Sequence, residues 1–282
     1  MIRLARPSQW LKSAFIFMPV PFAYADGAQI DWVGFLTGAL GFSLVSSSIY
    51  VMNDLLDAPR DRLHPTKRER PIASGRITRA VAIPYGVLLL AAGTALVWSV
   101  HKPAAVFLLA IYLATSAFYC IDGKNLPLVD VFLLSAGFLL RVLFGTALIP
   151  APASSWLLLC ASTLALFLAF TKRRSDLVAG VGQEHRPSLA GYNMTFLNQA
   201  MGFSAGIALF SYALYSMSPG AFIPGREFAS LPFAAFGILE FLRRAYVHGE
   251  GGSAAEVIWT SPPMLIAALG WVLAVLWSLD VA

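Results

Sequence analysis

Charge is scarce in this chain. Only 12% of its 282 residues are Asp, Glu, Lys or Arg, whereas 58% are hydrophobic, and an ordinary soluble domain carries about 25% charged residues. Water is therefore not its main solvent. Several charge-poor stretches reach the length of about 17 residues or more that crosses a hydrocarbon core of about 30 Å as a helix. Cysteine is scarcer still: Cys120 and Cys160 are the only two, they lack metal-ligand spacing, and they read as small buried hydrophobes. No low-complexity segment, soluble domain or clear repeat is visible. Arg3, Arg6 and Lys12 precede an apolar stretch that holds Pro19 and Pro21 and no small-residue cleavage site follows, so the first span is expected to stay uncleaved.

What is present is a succession of apolar windows, nine by count, at 13–25, 32–53, 81–100, 103–120, 128–149, 154–171, 197–217, 228–247 and 262–280. Backbone facing lipid must satisfy its own hydrogen bonds, so the expected fold class is all-α: a polytopic membrane protein of about nine transmembrane helices. Residues 1–282 read as a single integral membrane domain. With a cytoplasmic N-terminus and nine alternating spans, 17 of the 20 Lys and Arg residues fall on the cytoplasmic side. That bias fixes the orientation. The net charge of +5 then points to an anionic bilayer surface and anionic substrates, not to nucleic acid.

The most informative segment is Asn53-Asp54-Leu55-Leu56-Asp57-Ala58-Pro59-Arg60-Asp61, at the inner end of the second window. On a helix Asn53, Asp57 and Asp61 recur every four residues, and Asp54 joins Asp57 and Asp61 at spacings of three and seven, so their oxygens share one face. Hard oxygen ligands in that arrangement suit Mg²⁺, which takes one or two carboxylates together with water and phosphate oxygens. Pro59 removes a helical hydrogen bond and predicts a kink, which makes Asp61 the least secure of the four ligands. The next segment, Arg62-Leu63-His64-Pro65-Thr66-Lys67-Arg68-Glu69-Arg70-Pro71-Ile72-Ala73-Ser74-Gly75-Arg76, alternates cations with prolines and a glycine. Such a loop can close over a polyanion, or simply be a positive-inside loop.

Asn-Asp-x-x-Asp-x-x-x-Asp followed by His-Pro-x-Lys-x-x-Arg-Pro-Ile-Ala-x-Gly resembles the UbiA superfamily of intramembrane prenyltransferases. The resemblance implies helices around a central cavity that opens sideways to lipid. It also implies metal ligands at Asn53, Asp54, Asp57 and Asp61, and roles at the reacting groups for these with Lys67 and Arg70. Tyr119 and Lys124, on a short loop after the fourth window, resemble the family's tyrosine-to-lysine motif. Arg141 is notable without any resemblance, because an arginine inside a span costs a few kcal/mol and normally faces a cavity or a counter-charge.

Most quinone-pathway members of the superfamily carry a second aspartate-rich motif, and here the corresponding segment departs from it as Lys172-Arg173-Arg174-Ser175-Asp176. It resembles instead the decaprenyl-phosphate phosphoribosyltransferase branch, whose counterpart begins Lys-Arg and carries one acid before a later arginine and tyrosine, here Arg186 and Tyr192. The opening Arg6-Pro7-Ser8-Gln9-Trp10-Leu11-Lys12 is similar to that branch too. The resemblance implies a Mg²⁺-dependent enzyme of a bacterial inner membrane. It would transfer 5-phosphoribose from 5-phosphoribosyl diphosphate to a polyprenyl phosphate, releasing diphosphate, for arabinose donors of a cell envelope. Lys12, His64, Arg141, Lys172, Arg173, Arg174, Asp176, Arg186 and Tyr192 are the expected substrate contacts, and a homo-oligomer remains open. An aromatic prenyltransferase with a polyprenyl diphosphate donor is the competing enzyme, and the missing second acidic motif argues against it. A transporter would place its ion site near the bilayer midplane, whereas these acids and cations converge at one face.

Overall fold

In a computed structural model, residues 1–25, 27–63, 67–150, 155–182, 186–218, 222–251, 257 and 260–279 are described. Among them there is no β-strand. The helices are α1 (Ile2–Ala5), α2 (Val20–Ala25), α3 (Trp32–Asp61), α4 (Arg79–Ser99), α5 (Pro103–Ile121), α6 (Val129–Leu148), α7 (Ser155–Val178), α8 (Met194–Ser216), α9 (Leu231–Arg243) and α10 (Pro262–Ser278). Short 3₁₀ turns join them, and a π turn, Arg244–His248, extends α9.

The starts follow local chemistry. Asp31 accepts from the Gly34 N–H at 3.0 Å and caps α3, and Asn193 does the same for α8 from the Phe196 N–H at 2.8 Å, each satisfying an otherwise orphaned amide. Proline opens α5 and α10, where its missing N–H costs nothing.

Among the described residues five helices, α3 to α7, are long and apolar enough to cross a bilayer. Helices α8, α9 and α10 coincide with the last three apolar windows. The expected first span, 13–25, is not one helix: a 3₁₀ stretch, Pro7–Phe17, gives way to α2 after a break at residues 18–19. Pro19 and Pro21 cannot donate the bonds a continuous α-helix would need there. The expected kink at Pro59 does not end α3, which runs on to Asp61 with Pro59 on its exposed side.

Consecutive helices pack side by side, α3 on α4, α5 on α6, α6 on α7, α7 on α8 and α9 on α10. The α3–α4 crossing is close because glycines face each other: a Cβ added to Gly93 would sit 2.6 Å from the Gly41 carbonyl oxygen, and one on Gly41 would sit 2.8 Å from that of Gly93. Small residues at crossings are how membrane helices gain dispersion contact where lipid removes the hydrophobic drive.

Two apolar cores result. Phe35, Phe42, Leu109, Tyr112 and Phe144 fill the first, among α3, α5 and α6; Phe167, Phe170, Leu197, Met201 and Phe241 fill the second, among α7, α8 and α9. Side chains such as Val33, Leu88, Phe107, Phe203 and Ile266 are left well exposed on the outside, while Ser46, Asp54, Asp130, Arg141 and Arg173 are buried. That distribution suits a hydrocarbon solvent, and the chain is a multi-pass membrane protein.

Candidate active site

The N-terminal segment is fastened to α3 by serines on that helix. Ser47 donates to the Ala5 carbonyl at 2.7 Å and accepts from Trp10 Nε1 at 2.9 Å, and Ser43 donates to Ser13 Oγ at 2.9 Å. Between α1 and the 3₁₀ stretch, Arg6 takes a left-handed conformation (φ 50°). Its guanidinium thereby reaches Asp54 Oδ1, with Nη2 2.5 Å away.

The carboxylates at the end of α3 are each met by a cation from another segment. Asp54 pairs with Arg6 and, at 3.3 Å, with Arg70; Asp61 pairs with Arg70 at 2.7 Å; Asp57 pairs with Lys124 at 2.5 Å. Asn53 stands half-buried beside them. The helix spacing thus puts Asp54 and Asp61 under one arginine and turns Asp57 toward the 3₁₀ turn Gly123–Asn125. Tyr119 lies within the last turn of α5, not on the following loop.

Among the described residues no three His, Cys, Asp or Glu side chains form a ready-made metal cage. Asp54 nevertheless keeps a second oxygen, Oδ2, that is buried without a hydrogen-bond partner. A buried carboxylate oxygen left bare costs about 1–3 kcal/mol. With Asp57 and Asp61 on the same helix end, the donor set fits a hard cation such as Mg²⁺, whose remaining ligands come from phosphate and water.

Around these acids stand further cations. Lys67 feels Arg70 and Arg186 on one side and Asp61 and Asp176 on the other; burial first, and then the two arginines, lower its pKa from the ordinary lysine value. Arg186 donates to Tyr119 Oη at 3.1 Å. Lys12 is exposed, yet Tyr50, Tyr112, Tyr119, Arg6 and Arg141 all lie near it; its ammonium sits 5.9 Å from the centre of the Tyr50 ring. Groups from α3, α5 and α6 thus gather around its ammonium. Arg141 is deeper. Its guanidinium lies 5.0 Å from the Tyr112 ring centre and 5.4 Å from that of Phe42, donates to Tyr112 Oη at 3.0 Å, and among the described residues has hydroxyls and a carbonyl as partners in place of a counter-charge. His64 lies outside the described residues.

Helix α7 continues beyond the expected end at 171 to Val178 and so carries the basic run on a helical surface. The three cations part company there. Lys172 keeps 43% of its side chain exposed and pairs with Asp176 at 3.2 Å, whereas Arg173 keeps only 1% and lies 3.3 Å from Asp176 and 3.6 Å from Asp130. Arg174 donates to Asn198 at 2.8 Å and to the Ala245 carbonyl, and its guanidinium is 5.1 Å from the Tyr246 ring centre, so it binds α7 to α8 and to the π turn. Tyr192 donates to Asp130 at 2.6 Å; burial, with that hydrogen bond behind it, raises the pKa of its phenol.

Two charged residues at this site escaped sequence reasoning. Arg6 carried a signal, the opening Arg6–Lys12 motif. Asp130 carried none, being a lone acid in an apolar helix whose Ser188 and Tyr192 partners are 58 and 62 positions away.

Residues 13–248 match the model of the UbiA prenyltransferase family. Curated relatives include a decaprenyl-phosphate phosphoribosyltransferase of Corynebacterium glutamicum, 30% identical over 96% of this chain and 84% of the relative. A protein of the same name from Mycobacterium tuberculosis is also 30% identical, over 96% of this chain and 91% of the relative. Among solved structures, a UbiA homolog from Archaeoglobus fulgidus bound to GPP and Mg²⁺ superposes with a TM-score of 0.75 at 18% identity, covering 99% of both chains.

Proposed function

This chain belongs to the UbiA prenyltransferase family, and from that premise we propose that it transfers 5-phosphoribose from 5-phosphoribosyl diphosphate to a decaprenyl-type polyprenyl phosphate, with Mg²⁺ as cofactor. The observation that carries this reading is the asymmetry of the site. Acids gather at the end of α3, while the end of α7 presents Lys172 and a single acid, Asp176. Relatives named for that reaction, matched across 96% of the chain, support it.

A prenyl diphosphate is charged at one end only. 5-Phosphoribosyl diphosphate has a 5-phosphate separated from its diphosphate by the ribose, so it needs an anion site at each end. Asp54, Asp57, Asp61 and Asn53 would hold Mg²⁺, which when bound supplies Lewis-acid stabilisation of the diphosphate. Arg6, Arg70 and Lys124 already stand at these carboxylates and can turn their donors to phosphate oxygens. Lys67, Lys172 and Arg186 surround Asp176 and offer charge to the 5-phosphate and to the acceptor. An oxygen of the lipid phosphate attacks ribose C1, the bond from C1 to the diphosphate oxygen breaks, and diphosphate leaves with the electron pair. The acceptor oxygen is already anionic at neutral pH, so no general base is required. Catalysis rests on bringing two anions together and stabilising the one that departs.

We place the reaction on the cytoplasmic face of a bacterial inner membrane, an orientation that the bias of Lys and Arg toward one side supports. Single cysteines at Asn53, Lys124 and Lys172, placed after Cys120 and Cys160 are replaced, should react with an impermeant thiol reagent only from that face. The decisive assay combines purified protein, polyprenyl phosphate and radiolabelled 5-phosphoribosyl diphosphate, with and without Mg²⁺. Label should enter the lipid only with the metal. Prenylation of 4-hydroxybenzoate from a prenyl diphosphate, with the ribosyl donor ignored, overturns the proposal.

A further inference from the structure

Asp130 bridges α6 to the segment 187–192 and to α7, and the reaction as written gives it no part. It stands in the first turn of α6, fully buried, just after Leu128, whose φ of 65° is unusual for a branched side chain. Ser188 donates to its Oδ2 at 2.9 Å and Tyr192 to its Oδ1 at 2.6 Å, while Tyr192 Oη accepts the backbone N–H of Leu128 at 2.6 Å. One carboxylate thus joins α6 to the segment Pro187–Tyr192, and Arg186 at the head of that segment reaches Tyr119.

The third contact of Asp130 is with Arg173, and it differs in kind. Arg173 Nη1 lies 3.6 Å from Asp130 and 3.3 Å from Asp176, but neither Nη1 nor Nε has an aligned acceptor. The guanidinium is held by the summed charge of two carboxylates and not by directed bonds. A buried cation that loses one of two counter-charges draws harder on the other. The other is Asp176, the partner of Lys172.

We propose that Asp130 is a positioning residue for the phosphorylated donor. It shares the charge of Arg173, which leaves Asp176 turned toward Lys172, and it holds Ser188 and Tyr192, which fixes Arg186 against Tyr119. Asp130 meets no substrate atom; its effect passes through Asp176, Lys172 and Arg186. This deepens the donor reading given above and rests on it.

Steady-state kinetics with the two substrates varied separately test it. Asp130→Asn keeps the shape and an oxygen for a hydroxyl but removes the charge. We expect the KM for 5-phosphoribosyl diphosphate to rise about 10-fold, with the KM for polyprenyl phosphate and kcat little changed. Tyr192→Phe should move the same constant in the same direction by a smaller factor. Combining Asp130→Asn with Arg173→Gln should be no worse than the worse single change, because without the cation Asp130 has no charge to share. A merely structural role would lower the melting temperature and affect both substrates alike, and that result in the folded Asp130→Asn protein overturns the proposal. If Asp130→Asn does not fold, Tyr192→Phe decides, and an unchanged donor KM counts against it. A wild-type protein that ignores the ribosyl donor sinks the proposed function instead, which separates the two failures.

Discussion

The C-terminal ends of α3 and α7 are charge-reversed counterparts. At α3 the helix supplies acids and other segments supply the cations; at α7 the helix supplies cations, and the buried Asp130 comes from α6. They differ in which partner is accessible. Arg6 and Arg70 keep 23% and 24% of their side chains exposed over an Asp54 at 1%, whereas Arg173 is as buried as Asp54 and only Lys172 beside it is open. An incoming phosphate can therefore recruit the cations of the first region but only Lys172 among those of the second. Position on the helix, more than residue type, separates a group that meets ligand from one that supports it.

The comparison can be tested from its strongest side first. Asp57→Asn should remove nearly all turnover, about 10³-fold or more if metal charge stabilisation contributes several kcal/mol, with the protein still folded although Lys124 loses its partner; excess EDTA should abolish turnover of the wild type as well. Transfer of label measured on the folded variant checks this, and near-normal activity rules out the metal assignment. At α7, Arg173→Ala leaves Asp130 buried without its cation and should cost stability by about 3–5 kcal/mol, visible as a lower melting temperature and poor yield. A stable Arg173→Ala protein with only a raised donor KM would contradict the division between the two ends. Arg70→Ala strips one counter-charge from both Asp54 and Asp61 and should weaken donor use by about 10- to 100-fold, read as KM. Smallest is Lys172→Ala, where an exposed cation is lost and donor KM should rise about 10-fold at the low end of that range with stability intact.

Sequence alone carried the first region further than the second. The period of Asn53, Asp54, Asp57 and Asp61 set their shared helix end, because helical geometry is local and reads directly from spacing. Lys172, Arg173 and Arg174 looked equivalent for the same reason: three adjacent cations give no hint of which neighbour each will find. Their fates depend on Asp130, Asn198 and Ala245, contacts that exist only once distant helices pack. Apolar windows located the helices from α3 onward, but hydropathy is blind to backbone donors, and the prolines that divide residues 13–25 made one window into two short elements. Arg6 was visible as part of a motif, although its own left-handed backbone, which swings it onto Asp54, was not.

The contact of Gly41 with Gly93 bears on the segment that follows α3. Backbone lies close against backbone where α3 crosses α4, and the chain that links the two helices and carries Lys67 and Arg70 is a strap tethered at both ends. The closure entropy of that strap has been met once, in folding, and does not recur in each catalytic cycle. Under the proposed function, an Arg70 that turned from Asp54 to a phosphate would not diffuse away; it would stay at a high effective concentration near its carboxylates. Departure of diphosphate would then leave the arginine within reach of the acids it came from, and the site would reset without a separate step to reassemble it.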